Sequence, residues 1–363
     1  MAERTVLVAG ASGLVGYAAA RHFATLPGWR VIAVSRRLPE GLDGVELISA
    51  DLLDRARCGE VFGGMREVTH VVYAALFEKP GLFRGWREPD QMATNQAMLE
   101  HLFEPLRAAA TGLQHVTLLQ GTKAYGAHLG PIAIPAKERA PRHRHANFYW
   151  LQEDYLRERQ LGQAWRWTIL RPQVIFGESL GSHMNMIPAL GVYAALLRED
   201  GRPLAFPGGP SWVREAVDAD LLARACEWAA TTPACGNEIF NINNGDVFEW
   251  RHVWPTIAET LGMTVGPDQP ASLAATMPPR EAEWAAIVRK YGLRAPASLA
   301  GFVGQGFIYA DGQLAHGATH SPPTTLVSTI KARQFGFSDC MDTDDMFRKW
   351  FRRFQERGWL PPA

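Results

Sequence analysis

The chain has no excess of charge of either sign: 37 lysines and arginines balance 37 aspartates and glutamates, for a net charge of zero. No global field draws it to nucleic acid or to an anionic membrane. Neither is expected as a partner, and a small molecule is. Cysteine is scarce. The four thiols, Cys58, Cys226, Cys235 and Cys340, stand far apart without a C-x-x-C. That excludes the usual metal-ligand spacing, so no metal is expected, and it suits a reduced, cytoplasmic protein. No apolar run reaches the length of a membrane span. The start, "MAERTVLVAG", runs directly into a strand pattern with no basic segment before an apolar core, so no signal peptide is expected. Internal repeats and low-complexity segments are missing as well.

What is present is a chain of 363 residues, 47% hydrophobic and 20% charged, as in ordinary globular proteins. This length accommodates a large domain with a smaller one attached, or two domains. Short apolar runs recur: "TVLVAG", "RVIAVSRR", "VELISADL", "THVVYAALF", "HVTLLQG" and "WTILRPQVIFG". Amphipathic segments such as "GLVGYAAARHFATL" lie between them. Strands alternating with helices predict an α/β fold, a Rossmann-type doubly wound parallel sheet. After Gly177 the strand–helix rhythm fades and Pro, Met and Trp become commoner. The expected division is a nucleotide-binding domain over 1–178 and a smaller, mostly helical substrate-binding lobe over 179–363. Segments around 212–245 and 325–337 are expected to return to the first domain.

"VLVAGASGLVG" sets Gly10, Gly13 and Gly16 directly after a strand and at the start of a helix. Glycines there permit a tight turn and close approach of backbone to a pyrophosphate, at a helix N-terminus that favours negative charge. Ser12, Leu14 and Val15 share that turn and are assigned to the same cofactor site. An NAD site usually ends the second strand on an acid that binds the ribose hydroxyl. Here Ser35, Arg36 and Arg37 occupy that place, and guanidiniums suit a 2′-phosphate. NADPH is therefore the expected cofactor. Asp51 and Leu52 after the third strand are placed near the adenine, and Ala74 after the fourth is placed in the cofactor crevice.

Short-chain dehydrogenases commonly activate a tyrosine with a lysine four residues later. Tyr149 is followed at that distance by Glu153, Tyr125 by Leu129 and Tyr155 by Arg159. Gly121 stands where the usual hydroxyl after the fifth strand belongs. Either catalysis is lost or the chemistry differs. "LLQGTKAYGAH" puts Lys123 at the end of the fifth strand, and "NFYWLQEDYLRERQ" puts Tyr149 in the first turn of a helix. Both borders face the nicotinamide region in this class of fold. Lys123 is thus expected to approach Tyr149 from another direction and to lower the phenol pKa.

At these residues the chain resembles the progesterone 5β-reductase/iridoid synthase family, atypical extended short-chain dehydrogenases. The matching stretches are "GASGLVG", "SRR", "THVVYAA", "GTKAYG", "NFYWLQEDYL", "RPQVIFG", "VDADLLA", "FNINNGDVFEWRHVW" and "KARQFGFSDCMDT". The resemblance implies NADPH-dependent reduction of the carbon–carbon double bond of an enone. The family's lysine maps onto Lys123 and its tyrosine onto Tyr149. Hydride would reach the β-carbon, and charge would appear on the carbonyl oxygen. The Tyr149 hydroxyl, polarised by Lys123, would donate to that oxygen, a contribution of commonly ~3 kcal/mol per donor. Lys123 and Tyr149 would then also border the cofactor.

Pro172 and Val174, in "RPQVIFG", are assigned to the nicotinamide wall, since proline lacks an N–H and fixes the chain. Phe77, Met184 and Trp212 are candidate walls of an apolar pocket for a small apolar enone. The H-x-H of His143 and His145 reads as a polar loop. A homodimer is a possible assembly. Two other functions stay open: carbonyl reduction or nucleotide-sugar epimerisation or dehydration, and non-catalytic sensing of NADP(H).

Overall fold

The computed structural model describes residues 4–83 and 85–363. Nine strands occur among them: β1 (Arg4–Ala9), β2 (Trp29–Ser35), β3 (Val45–Ser49), β4 (His70–Tyr73), β5 (His115–Leu119), β6 (Arg166–Pro172), β7 (Val174–Phe176), β8 (Ala216–Asp218) and β9 (Glu238–Ile242). Seven pair in the order β3-β2-β1-β4-β5-β6-β9, every pair parallel. The interior strands are apolar almost without interruption because helices cover both faces. Along β1, alternate side chains serve opposite layers: Leu7 and Ala9 join Phe62, Leu99 and Tyr155, while Val6 and Val8 join Phe23, Leu221 and Cys226. This is the expected doubly wound Rossmann-type sheet.

Chain order reverses between β1 and β4, which lie side by side. In open α/β sheets the ligand crevice forms at such a point, beyond the carboxyl ends of the strands. Gly10 and Ala74 follow β1 and β4 there. Gln120 and Gly121 follow β5, and Gln173 follows β6. The small β7–β8 ribbon, with Val174 opposite Ala216, continues just past β6.

The second lobe has its own core. Helix Met186–Glu199 is buried from Met186 through Leu197 and packs with helices Trp250–Thr260, Gly306–Gln313 and Thr343–Glu356. Helix Thr343–Glu356 shows why it docks: Met346, Phe347, Trp350, Phe351 and Phe354 share one buried face. Asp342 caps its start through the Asp345 N–H at 3.1 Å. The chain also returns to the sheet. Helix Ala219–Thr231 packs beside helix Leu14–Ala24, β9 forms the sheet edge, and Lys331 of helix Ile330–Gln334 meets Glu238 of β9 at 2.6 Å. Among the described residues no helix is long and apolar enough to cross a membrane.

Candidate active site

The glycine turn is built for close approach. Gly10 has φ +87°, and a Cβ on it would lie 2.7 Å from the Ala74 carbonyl oxygen. A Cβ on Gly16 would lie 2.2 Å from the Gly10 oxygen. Helix Leu14–Ala24 begins at Gly13 with no side-chain cap and no acid in its first turn. Its leading N–H groups thus keep the donor capacity and positive dipole end that a phosphate accepts. At the end of β2, the Ser35 hydroxyl donates to the Arg37 carbonyl, and Arg36 and Arg37 are exposed. Neither guanidinium is paired with a carboxylate among the described residues. Asp51 is exposed, and Leu52 is buried with its carbonyl accepting from His101 at 2.9 Å. His183 is a further group here. Burial and then Arg37 and Arg36 lower its pKa, which places it beside both.

Tyr149 and Lys123 are tied together by a residue that sequence reasoning missed. Asn147, buried, caps helix Phe148–Gln160 by accepting from the Tyr149 N–H at 3.0 Å. Its amide nitrogen donates to the Lys123 carbonyl at 3.1 Å. Asn147 therefore sets the relative position of the two backbones. The Tyr149 hydroxyl lies at the end of β5: a Cβ on Gly121 would sit 3.4 Å from it and 3.5 Å from the Pro172 oxygen. A side chain at 121 would therefore touch the phenol in ordinary contact. With glycine the phenol hydroxyl makes no hydrogen bond among the described residues.

The Lys123 side chain turns elsewhere than expected. Its Nζ lies 3.7 Å from the Trp86 ring centre, a cation–π distance. Trp86 in turn packs edge-on against Tyr149, with centroids 5.3 Å apart. The indole N–H of Trp86 donates to Glu78 Oε1 at 2.7 Å, while Glu78 Oε2 is buried without a hydrogen bond among the described residues. Lys123 is half-buried. Burial lowers its pKa and Glu78 partly opposes this. Burial raises the Glu78 pKa, with Lys123 and the Trp86 bond pulling the other way.

One expectation is corrected. Lys123 was to lower the phenol pKa of Tyr149, yet that pKa is raised, first by burial and then by Glu78. Arg171 is the group that opposes the rise. The physical reason is burial of the phenol beside Glu78, while the Lys123 ammonium lies over Trp86. Burial thus favours the protonated phenol at Tyr149. Its i+4 neighbour, Glu153, is locked by Arg142 at 2.8 Å and Arg157 at 3.0 Å.

The loop bearing Glu78 and Trp86 is held on either side of Glu78. Asn95 accepts from the Phe77 N–H and donates to the Phe77 carbonyl, both at 2.9 Å. Gln305 accepts from the Gly81 N–H at 2.6 Å. The second lobe closes the far side. Tyr309, on helix Gly306–Gln313, has its pKa raised to about 12 by burial, with Arg214 opposing and Glu78 assisting. It also acts on Tyr149. Arg214 stands over the Trp212 ring at 4.9 Å, and its guanidinium donates to Gln313. The Trp212 indole nitrogen is buried without a hydrogen bond among the described residues. Pro172 is buried, and Val174, Phe77 and Met184 are half-buried. The structure thus brings Lys123, Tyr149 and Pro172 to one place. Glu78, Trp86, Tyr309 and Arg214, missed in the sequence, join them there. Their contacts span long sequence distances, and no local spacing signals them.

His143, His145 and His128 cluster beside Lys123, and His143 Nε2 bonds the Lys123 carbonyl at 3.2 Å. Among the described residues no group of three or more His, Cys, Asp or Glu could hold a metal ion.

Fold and crevice together define a nicotinamide-type Rossmann protein. The model of the NAD dependent epimerase/dehydratase family matches residues 6–243, and the chain belongs to that family. It is 30% identical over 380 residues to an (S)-8-oxocitronellyl enol synthase of Antirrhinum majus, covering 99% of this chain and 93% of that one. It is 35% identical over 280 residues to a 3-oxo-Delta(4,5)-steroid 5-beta-reductase of Arabidopsis thaliana, covering 72% and 70%. Among solved structures, a UDP-glucose 4-epimerase from Bifidobacterium longum in complex with NAD+ and UDP aligns with TM-score 0.68. It covers 98% of this chain and 99% of that one at 16% identity, a likeness of fold.

Proposed function

We propose that the chain is an oxidoreductase that reduces the carbon–carbon double bond of enones with NADPH. The names of its relatives support the broad reaction. A 3-oxo steroid with a 4,5 double bond is an enone, and carbon 5 is its β-carbon. The observation that carries the reading is the unpartnered, neutral Tyr149 hydroxyl beside Gly121, with the Lys123 ammonium across Trp86.

The cofactor fits the residues present. Gly10, Gly13 and Gly16 leave room and donors for a pyrophosphate, and Arg36 and Arg37 suit a 2′-phosphate, which favours NADPH over NADH. When bound, the cofactor supplies a hydride. Tyr149 contributes a hydrogen bond to the substrate carbonyl oxygen, which gains negative charge as the β-carbon is reduced. Burial that keeps the phenol protonated suits this role, because a donor is needed rather than a base. Lys123 contributes positive potential without taking a proton from the phenol. Asn147 and Trp86 hold both groups before substrate arrives, so the alignment costs little at the moment of reaction. The displaced role of a tyrosine–lysine pair at i+4 is absent: Glu153 fills that position and is bound by arginines.

The test is NADPH consumption with 2-cyclohexenone and product identification. A saturated ketone is expected. Tyr149→Phe and Lys123→Met are each expected to lower kcat by about 10²-fold or more, the usual scale for one oxyanion donor, while NADPH still binds. Full activity in the double variant, or an allylic alcohol as product, would overturn the assignment. A parallel measurement with NADH tests the cofactor: Arg36→Ala with Arg37→Ala is expected to raise KM for NADPH and leave that for NADH little changed.

A further inference from the structure

Resting on the reductase reading, one question remains about the same pocket: which enones it takes. Several arginines in the interior of this fold are matched by carboxylates. Arg171 lies 3.6 Å from Glu153, and Arg21, Arg353 and Arg357 surround Glu178 at 2.8, 3.3 and 2.8 Å. Arg214, like Arg198, has no such ion pair, and Glu215 acts on it only through space. Its guanidinium has the Gln313 amide oxygen and the Trp212 face as neighbours, and no carboxylate pairs with it among the described residues. The adjacent Glu215 and Arg214 act on each other through space, but the Glu215 oxygens are bonded elsewhere. They accept from Asn243 at 2.7 Å, Gln173 at 2.8 Å and the Val327 N–H at 2.9 Å.

The place of Arg214 connects it to the reacting centre. The Gln173–Glu215 bond holds segment 212–215 alongside Pro172–Gln173, and the Pro172 carbonyl and the Tyr149 hydroxyl both flank the open side of Gly121. Gln313 and Tyr309 lie one helical turn apart, and the Tyr309 phenol interacts with both Arg214 and Tyr149. Two further donors go unanswered. The Trp212 indole nitrogen is buried, and neither it nor the Tyr309 hydroxyl has a hydrogen bond among the described residues. A half-buried guanidinium beside unused donors is a natural seat for an anion.

We propose that the substrate enone carries a carboxylate, seated on Arg214 while its carbonyl oxygen meets Tyr149. Tyr309 and Trp212 supply flanking donors. The carboxylate fixes which end of the enone faces Tyr149, so its binding energy orients the reacting atoms.

The experiment compares 4-oxopent-2-enoate and 6-oxohept-4-enoate with their methyl esters in the full-length enzyme with NADPH. At least one acid is expected to exceed its ester in kcat/KM by about 10- to 100-fold, the scale of a charge-assisted bond pair. Arg214→Gln is expected to reduce that acid-to-ester ratio to near one, and Arg214→Lys to reduce it partly. Calorimetric titration of the saturated products, levulinate and 6-oxoheptanoate, into the NADPH-loaded enzyme reads the site without turnover. Binding that Arg214→Gln abolishes supports the site. Equal kcat/KM for acid and ester in the parent enzyme overturns the proposal. So does failure of both products to bind, or competition by UDP-glucose at lower concentration than by either acid, which would assign Arg214 to a sugar diphosphate. If no enone consumes NADPH, the reductase reading fails, and the titrations decide the anion site alone.

Discussion

Around Glu178 three guanidiniums close on one carboxylate, whereas around Tyr149 the charges are held apart. The first region joins helix Leu14–Ala24 to helix Thr343–Glu356: Arg21, Arg353 and Arg357 converge on Glu178, and Lys349 meets Asp218 at 2.6 Å. Asp218 is satisfied several times over. It caps helix Ala219–Thr231 through two N–H groups at 3.0 Å and accepts from the Trp350 indole at 2.9 Å. In the second region Lys123 rests on an aromatic face, Arg214 on another, and Glu78 keeps one oxygen without a hydrogen bond among the described residues. The residue types are the same. Where charges neutralise one another they join the packed helices; where they are left open, the proposed reading gives them a substrate to meet.

The comparison makes opposed predictions, and the largest concerns Glu178. Removing one member of a buried ion network strands its partners, a loss of about 3–5 kcal/mol. Glu178→Gln is expected to lower the urea midpoint by that scale, read with the unfolding slope. Turnover of 2-cyclohexenone at low temperature should survive. A Glu178→Gln chain as stable as the parent would break the distinction between the two regions.

Much of the fold was legible because the sheet writes itself in apolar runs. "VLVAG" and "HVVY" have one reading when both faces are covered, and the glycine turn follows from what Gly10 and Gly16 must avoid. Tyr149 could be placed in a helix's first turn from the pattern of "NFYWLQEDYLRERQ", but the cap that orients it, Asn147, was missed. The site's charge logic was not legible. Lys123 and Tyr149 were expected to act on each other directly, but a lysine side chain follows whichever aromatic or acid tertiary packing presents. Here that is Trp86, 37 residues away on a loop pinned by Asn95 and Gln305. Arg214 reads in sequence as one of many arginines. Its meaning comes from a missing partner, which composition does not display.

A smaller effect separates the regions by pH. Burial raises the Glu78 pKa above the ordinary 4.5, and Lys123 and Trp86 offset this only in part. The folded state therefore holds that proton more tightly than the unfolded chain does. Stability associated with Glu78 is present below about 4.5 and is lost as pH rises through the folded pKa. For Asp220 burial also pulls upward, but Lys349 and Arg21 together pull further down, and the pKa is lowered below 3.8. Its contribution is present above 3.8 and is lost as pH falls through the folded value. Urea unfolding from pH 4 to pH 8 should thus show Glu78→Gln gaining on the parent as pH rises. Asp220→Asn should show a deficit that stays nearly level over that range and closes in stronger acid. Parallel curves for the two variants would contradict the comparison.

The smallest expected effect is the most discriminating, because its sign differs from that at Glu178. Lys123 has no carboxylate partner among the described residues, and burial lowers its pKa despite Glu78. The folded site therefore disfavours the ammonium, even with the Trp86 face beneath it. Methionine has a similar length and keeps a sulfur–aromatic contact with Trp86 while shedding the desolvation cost. Lys123→Met is expected to raise stability by about 0.5–1 kcal/mol, the size of other gains made by relaxing a functional site, while it depresses kcat. Thermal unfolding of the apo-protein, in parallel with the kinetic assay, reads both at once. A loss of more than about 1 kcal/mol would mean that Lys123 holds the structure together as the arginines around Glu178 do, and an electrostatic role toward the substrate would lose its physical basis.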